Sequence, residues 1–359
     1  MDKSLGIFAS SRPYVIAGPC SAESEEQLMR TALALKADGV EVFRAGLWKP
    51  RTRPGCFEGV GAVAVPWMQR VRKETGMRIC TEVANASHVQ LVADAGFDMV
   101  WIGARTTANP FLVEEIAKAL ESTEMAVMVK NPVSSDLELW AGAVERLRRH
   151  GVTRIGLIHR GFTTSTELVY RNAPEWHIAI EMRRRYPEMP LVCDPSHMGG
   201  DRAYVKEISQ KALDLGFDGL MIESHCTPDC ALSDAAQQLT PQDLEGLLHA
   251  LAVRLEDCDD DSYRQEMAAL RARMDLLDSK LVEALASRME ISREIGRLKK
   301  QNNISILQID RWQDVMDQVG TSAVSRGIDP DFVIRIFNEI HRASVAEQNK
   351  ILNSDDCQY

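Results

Sequence analysis

The stretch LVCDPSHMGGDRAYVKEISQKALDLGFDGLMIESH, residues 191–225, carries the pattern that decides the fold. Two short runs with apolar residues on both faces, 191–197 and 220–225, flank a longer polar and apolar segment. Runs of this kind are typical of parallel strands that are covered by helices. The stretch therefore predicts one strand–helix–strand unit.

The same pattern is found along the first 255 residues. Helix-like stretches such as EEQLMRTALALKADG and PFLVEEIAKALEST separate the apolar runs. The remaining candidate strands are YVIAG (14–18), VEVFRAG (40–46), RICTEV (78–83), MVWIGA (99–104), AVMVKN (126–131) and RIGLIHR (154–160). About eight such units in about 250 residues predict an α/β fold, a (β/α)8 TIM barrel, over residues 1–255. The alternative is an open doubly wound sheet, for which the chain offers no glycine-rich dinucleotide turn.

The pattern changes after the acidic run EDCDDDS (256–262), which predicts a linker. Apolar residues at three-and-four spacing predict one long helix over 263–300, and two shorter helices follow at 309–325 and 330–351. Asp329 and Pro330 are suited to the N-cap and first turn of the last helix. We expect a small all-α domain over 263–352 and a tail over 353–359. A helix this long needs a partner, so an intertwined homodimer, or a larger assembly, is predicted.

Composition limits the classes of partner. The net charge is −10, which argues against non-specific nucleic-acid binding. We find no signal peptide and no apolar run of about 18 residues, so we expect a cytoplasmic protein that does not enter the membrane. The eight cysteines are scattered, which favours reduced thiols over disulfides.

Four metal-binding residue types follow the candidate strands, whose carboxyl ends converge in a barrel of this kind. They are Cys20, His197, Glu223 and Asp234. One thiol, one imidazole and two carboxylates suit Mn, Fe, Co or Zn better than Mg or Ca. The alternative is that these residues are buried strand ends and helix caps.

A second group at the strand ends is basic and consists of Arg44, Lys49, Arg51, Arg105, Lys130 and Arg160. Buried cations are costly without partners, and guanidinium groups bind phosphate and carboxylate in a bidentate manner. The group therefore predicts a ligand with at least two anionic groups. The alternative is a solvated rim that is paired with acidic residues.

Seven motifs in order resemble those of 3-deoxy-D-arabino-heptulosonate 7-phosphate (DAHP) synthase of the type I beta subgroup. They are GPCSAES (18–24), KPRT (49–52), GARTT (103–107), HRG (159–161), DPSH (194–197), ESH (223–225) and ALSD (231–234). The resemblance implies the condensation of phosphoenolpyruvate with erythrose 4-phosphate. The sister family, 3-deoxy-D-manno-octulosonate 8-phosphate synthase, uses a five-carbon sugar phosphate and is the alternative, although KPRT favours the four-carbon sugar.

The resemblance also implies residue roles. Cys20, His197, Glu223 and Asp234 would bind the divalent metal. Arg51 and Thr52 would bind the sugar phosphate, Asp194 and Glu82 would lie in the same cleft, and Lys49 is the candidate for proton transfer. The residues implied to hold phosphoenolpyruvate are Arg44, Lys49, Arg105, Lys130 and Arg160.

The long helix carries cations beside its apolar stripe. Lys299 is eleven residues after Arg288, about three turns or roughly 16 Å along the same face. Arg271 is rotated by about 260° from Arg288, so we expect it to reach the site of a partner chain. Lysine and arginine stems that merely lie along a helical seam are the alternative.

LRARMDLLDSKLVEALASRMEISREIGRLK (270–299), IDRW (309–312) and SVAEQ (344–348) resemble the all-helical class of chorismate mutase. The resemblance implies that Arg271 of the partner and Arg288 hold the carboxylates of chorismate. The other implied pocket residues are Lys299 and Gln348 at the ether oxygen, with Arg311 and Ser344.

The helical part departs from this family at two pocket positions, which are acidic in some members and are Gln308 and Trp312 here. A dimerisation and sensor module with little mutase activity is therefore the alternative. Because the barrel begins at about residue 14, without a sensor domain before it, we expect any allosteric control of the barrel to come through the helical part.

Overall fold

The computed structural model describes residues 5–6, 13–50, 55–165, 169–254, 258–307 and 309–353. The chain folds into two compact units, Met1–Glu256 and Asp257–Tyr359, and each is described by itself. The first unit contains the strands, and the second is helical.

The eight strands of the first unit form one closed parallel barrel in chain order, with β1 paired to both β2 and β8. Their bounds are β1 Tyr14–Gly18, β2 Val42–Arg44, β3 Arg78–Val83, β4 Met99–Ile102, β5 Ala126–Lys130, β6 Ile155–His159, β7 Leu191–Cys193 and β8 Gly219–Glu223. The predicted TIM barrel is confirmed, and closure excludes the open doubly wound sheet.

Ten α-helices are described in the barrel unit, together with short 3-10 turns. They are α1 Glu25–Ala37, α2 Val65–Thr75, α3 Ala86–Asp94, α4 Ala104–Thr107, α5 Pro110–Leu120, α6 Leu137–Arg149, α7 Trp176–Arg185, α8 Pro195–Gly199, α9 Val205–Asp214 and α10 Pro241–Ala250. In the predicted strand 191–197 only Leu191–Cys193 form a strand. The side chain of Asp194 accepts a hydrogen bond from the backbone N–H of His197 and begins α8.

Apolar side chains on the two faces of the strands form two separate cores. Trp101 lies in the barrel interior with Ile16, Met99 and Met128, whereas Trp140 lies between the strands and the helices. Burial on both faces explains why the strands are continuously apolar in the sequence. Each buried large apolar side chain contributes roughly 1.5–3 kcal/mol.

The second unit consists of three helices, α11 Asp261–Gln301, α12 Ile309–Ser325 and α13 Pro330–Leu352. The predicted helices are all found. Helix α11 begins two residues before the predicted start at 263, because the side chain of Asp260 accepts a hydrogen bond from the backbone N–H of Ser262 and caps the helix. Asp329 caps α13, as expected. A Cβ on Gly296 would lie 3.2 Å from the Ile351 side chain, so α11 and α13 pack closely at this point.

Much of α11 presents apolar side chains to solvent within the single chain. The exposed fractions of Leu270, Met274, Leu277 and Leu281 are 46%, 60%, 53% and 63%. Such a stripe is typical of a helix that packs against another chain. None of the described helices has the length and apolarity needed to cross a membrane.

His159, at the end of β6, is fully buried among the aromatic rings of Trp140, Phe162, Trp176 and Phe217. Its Nε2 donates a hydrogen bond to the carbonyl oxygen of Pro174, and burial lowers its pKa from 6.5 to about 4. The folded protein therefore keeps a neutral imidazole at pH values where the unfolded chain takes up a proton.

This difference predicts acid sensitivity. Between pH 6.5 and 4 only the unfolded state binds the proton, so stability is lost as the pH falls through this window, by about 2 kcal/mol from pH 7 to pH 5. His159→Gln retains a donor for Pro174 and should lose less stability over the same range. Urea unfolding followed by tryptophan fluorescence tests this, with the exposed His177→Gln as control. Equal pH slopes in wild type and His159→Gln would contradict the assignment.

Candidate active sites

The carboxyl ends of the barrel strands bring the predicted site residues of the first unit together. Arg44, Lys130 and Glu223 are the last residues of β2, β5 and β8. A cavity of about 290 Å³ opens here, lined by Lys49, Pro50, Cys56, Glu82, Gly103, Ala104, Arg105, Lys130, Arg160, Arg171, His197 and Asp234. Arg51 and Thr52 lie outside the described residues.

The four candidate metal ligands lie close together as two pairs. Cys20 Sγ is 3.3 Å from Asp234 Oδ2, and His197 Nε2 is 3.6 Å from Glu223 Oε1. Among the described residues, no three His, Cys, Asp or Glu side chains are arranged so that together they could hold a metal ion. Protein contacts hold the carboxylates instead, since Glu223 Oε2 accepts from Gln237 and Asp234 pairs with Arg171.

The chemistry of this set nevertheless fits a divalent transition metal. Glu223 Oε1 is buried and has no hydrogen-bond partner. Burial, with the nearby charge of Glu223, raises the pKa of the Cys20 thiol to about 12 despite the nearby Lys49 and Arg44, so without a bound metal ion Cys20 is a thiol at neutral pH. A thiol, an imidazole and two carboxylates match the preferences of Mn, Fe, Co and Zn.

Asp194 has two roles in orienting His197. Its Oδ1 accepts from the backbone N–H of His197 at 3.0 Å, and its Oδ2 lies 2.8 Å from the His197 Nδ1 atom. Lys130 Nζ donates to the same Oδ2 at 2.6 Å. Burial alone would raise the pKa of Asp194, but His197, Lys130 and Arg44 hold it well below its usual range. A carboxylate in this position fixes the orientation of a metal-binding histidine.

Arg44 is fully buried and is not among the residues that line the cavity. Its Nη2 atom is 3.2 Å from Glu223 Oε1 and 3.3 Å from the carbonyl oxygen of Cys20. The guanidinium carbon is 4.8 Å from the ring centroid of Trp101, and Nε and Nη1 have no hydrogen-bond partner. Arg44 therefore supplies positive charge beside Glu223 and Cys20, two of the candidate metal ligands.

Lys49 and Arg160 remain cationic in the wall of the cavity. Burial tends to lower the pKa of Lys49, but nearby anionic groups raise it above its ordinary value. Cys20 makes the largest of these contributions, followed by Glu223 and Glu82. Burial lowers the pKa of Arg160 to about 10, which still leaves it charged at neutral pH. The wall thus suits an anionic ligand.

The helical unit has a cavity of its own, also of about 290 Å³. Its lining includes six residues singled out from the sequence, which are Arg288, Lys299, Arg311, Trp312, Ser344 and Gln348. Arg288 Nη1 donates to Ser344 Oγ at 2.9 Å, and Gln348 Oε1 is buried without a hydrogen-bond partner. Arg271 does not line this cavity, and Gln308 lies outside the described residues.

Several site residues were missed by the sequence analysis. In the barrel they are Arg171, which pairs with Asp234, and Trp101, whose Nε1 donates to Glu82 Oε2 at 3.1 Å. In the helical cavity His341 stacks on Trp312, with ring centroids 3.8 Å apart. A periodic pattern does not reveal these residues, because only the fold brings them to the sites.

Comparison with known proteins assigns both units. Residues 7–257 match the family model described as "DAHP synthetase I family", and residues 270–349 match "Chorismate mutase type II". The chain belongs to the DAHP synthetase I family and carries a chorismate mutase domain after the barrel. It is thus an enzyme with a transferase domain and an isomerase domain, and both domains belong to families of aromatic amino-acid biosynthesis.

Individual relatives cover the barrel. A phospho-2-dehydro-3-deoxyheptonate aldolase of Thermotoga maritima is 34% identical over 248 residues, 67% of this chain and 71% of the relative. The crystal structure of a DAHP synthase from the same organism has a TM-score of 0.60 and 32% identity, and the match covers 66% of this chain and 67% of that chain. A 2-dehydro-3-deoxyphosphooctonate aldolase of Nitratidesulfovibrio vulgaris is 29% identical over 68% of this chain and 92% of the relative.

Proposed function

We propose that the barrel condenses phosphoenolpyruvate with erythrose 4-phosphate to give DAHP and phosphate. The observation that carries this is the cavity at the strand ends, whose lining combines the candidate metal ligands His197 and Asp234 with four cations, Lys49, Arg105, Lys130 and Arg160. The cations match the carboxylate and phosphate of phosphoenolpyruvate. Arg51 and Thr52 are proposed to hold the sugar phosphate on the strength of the KPRT motif alone.

The divalent ion would be held by Cys20, His197, Glu223 and Asp234. When bound, it supplies Lewis-acid polarisation of the aldehyde. The C3 carbon of phosphoenolpyruvate forms a bond to the aldehyde carbon, water adds at C2, and phosphate leaves. Lys49 is charged at neutral pH, so we assign it the donation of a proton to the aldehyde oxygen. Arg44, which pairs with Glu223, helps to neutralise it.

We propose that the helical domain rearranges chorismate to prephenate. This reaction needs a reactive conformer held in place and donors at the ether oxygen, where negative charge builds up. Arg288 is assigned to a substrate carboxylate, and Lys299 and Gln348 to the ether oxygen. Arg311 and Ser344 complete the pocket, with Gln308 and Trp312 at its two altered positions.

We further propose that the protein is at least a homodimer through the helical domain. The exposed apolar stripe of α11 supports this, because a second chain would cover it. The absence of Arg271 from the lining of the helical cavity within one chain supports its contribution to the partner's site.

The barrel reaction is tested by phosphate release from phosphoenolpyruvate with erythrose 4-phosphate or arabinose 5-phosphate. We expect turnover of the four-carbon sugar, its loss with a chelator, and its recovery on adding Mn²⁺ or Co²⁺. Arg160→Ala should lower turnover by about 100-fold or more, because it removes a cation that faces a developing charge. Arg149→Ala, on the exposed surface of α6, is the matched control. Preference for arabinose 5-phosphate would contradict this assignment and give the barrel the activity of 3-deoxy-D-manno-octulosonate 8-phosphate synthase instead.

The shared mutase site is tested by mixing two variants. Arg271→Ala and Arg288→Ala should each lower chorismate turnover by about 100-fold. In a mixed dimer one site regains both arginines, so random exchange should restore about a quarter of wild-type activity. No recovery despite demonstrated subunit exchange would contradict a contribution from the partner. Wild-type protein without chorismate turnover would support a sensor role instead.

A further inference from the structure

Two consecutive glutamines, Gln237 and Gln238, lie in the loop that follows Asp234. The next residue, Leu239, pairs with the end of β8, since its N–H donates to the carbonyl oxygen of Glu223 at 2.9 Å and its carbonyl accepts from His225 at 2.9 Å. The exposed fractions of Gln237 and Gln238 are 1% and 0%. Two adjacent buried amides are unusual for a loop, because each needs its own hydrogen-bond partners.

Gln238 joins the loop of Cys20 to the loop of Asp234. Its Oε1 atom accepts from the backbone N–H of Cys20 at 3.0 Å, and its Nε2 atom donates to the carbonyl oxygen of Ser233 at 2.8 Å. Ser21 and Ser233 reinforce this link through their hydroxyl groups, which are 2.5 Å apart. These contacts hold the backbone around Cys20 and Asp234 at a fixed separation, and the two side chains approach to 3.3 Å.

Gln237 makes a different pair of contacts. Its Nε2 atom donates to Glu223 Oε2 at 2.7 Å, and its Oε1 atom accepts from Arg171 Nη1 at 3.2 Å. Arg171 Nη1 also donates to Asp234 Oδ1 at 3.1 Å. The amide therefore occupies one oxygen of Glu223. The other, Oε1, forms no hydrogen bond and lies 3.6 Å from His197 Nε2 and 3.2 Å from Arg44 Nη2.

We propose that Gln237 and Gln238 are positioning residues for the metal site. Gln237 presents Glu223 to the ion through a single oxygen, and Gln238 sets the spacing of Cys20 and Asp234. The inference rests on the proposed metal-binding role of these ligands. Outer contacts of this kind typically change metal affinity by about 10- to 100-fold when they are removed.

The test uses the full chain freed of metal and titrated with Co²⁺, with the thiolate-to-cobalt absorption as the readout. Gln237→Met and Gln238→Met keep the length of the side chain and remove its hydrogen bonds. We expect each to weaken Co²⁺ binding by about 10- to 100-fold and to alter the absorption spectrum. Gln210→Met, in the outer helix α9, is the matched control and should bind as the wild type does.

Gln238→Glu provides a second variant if a methionine variant does not fold, as judged by circular dichroism. It keeps an acceptor for the N–H of Cys20 and loses the donor to Ser233, so a smaller loss of affinity is expected. If folded variants bind Co²⁺ with wild-type affinity and spectrum, the positioning role is wrong. If wild-type protein shows no thiolate-to-cobalt absorption, the proposed metal site itself fails.

Discussion

The carboxylate of Glu223 is completely buried at the end of β8, and the arrangement of the barrel site depends on how its charge is balanced. Arg44, His197 and Gln237 surround it from three different segments of the chain. Burial would raise the pKa of Glu223, but His197, Arg44 and Lys49 lower it below its ordinary value. A buried ion in such a network is strongly destabilising if one partner is removed. The same groups that keep Glu223 ionised thus also build the site.

Barrel closure explains why these partners meet. The strand ends contribute chemical groups to a common face, and several ends contribute more than one, as with Asp194 and His197 after β7. Cations at β2, β5 and β6 then face the acidic residues that follow β7 and β8. The site is therefore a balance of opposite charges, which suits the binding of an anionic substrate and a divalent cation together.

Residues at strand ends were predictable from the sequence, because short apolar runs mark the strands and the barrel fixes where their ends lie. Cys20, His197 and Glu223 were found in this way. The sequence predicted that the seventh strand extends to residue 197, but β7 ends at Cys193. The side chain of Asp194 accepts a hydrogen bond from the backbone N–H of His197 and begins α8, which no periodic pattern reveals. Arg171, Gln237 and Gln238 could not be predicted, because their contacts depend on the path of loops that carry no periodic pattern. His341 was missed because its role depends on stacking between α12 and α13.

Cobalt K-edge X-ray absorption of the full chain with one equivalent of Co²⁺ tests the metal-binding role of the barrel most directly. The account predicts one sulfur neighbour at about 2.3 Å, with the remaining neighbours nitrogen or oxygen. The sulfur neighbour should disappear in Cys20→Ser and persist in Cys56→Ser, which removes the exposed thiol in the cavity wall. A wild-type shell of only nitrogen and oxygen, or sulfur that persists in Cys20→Ser, would contradict it.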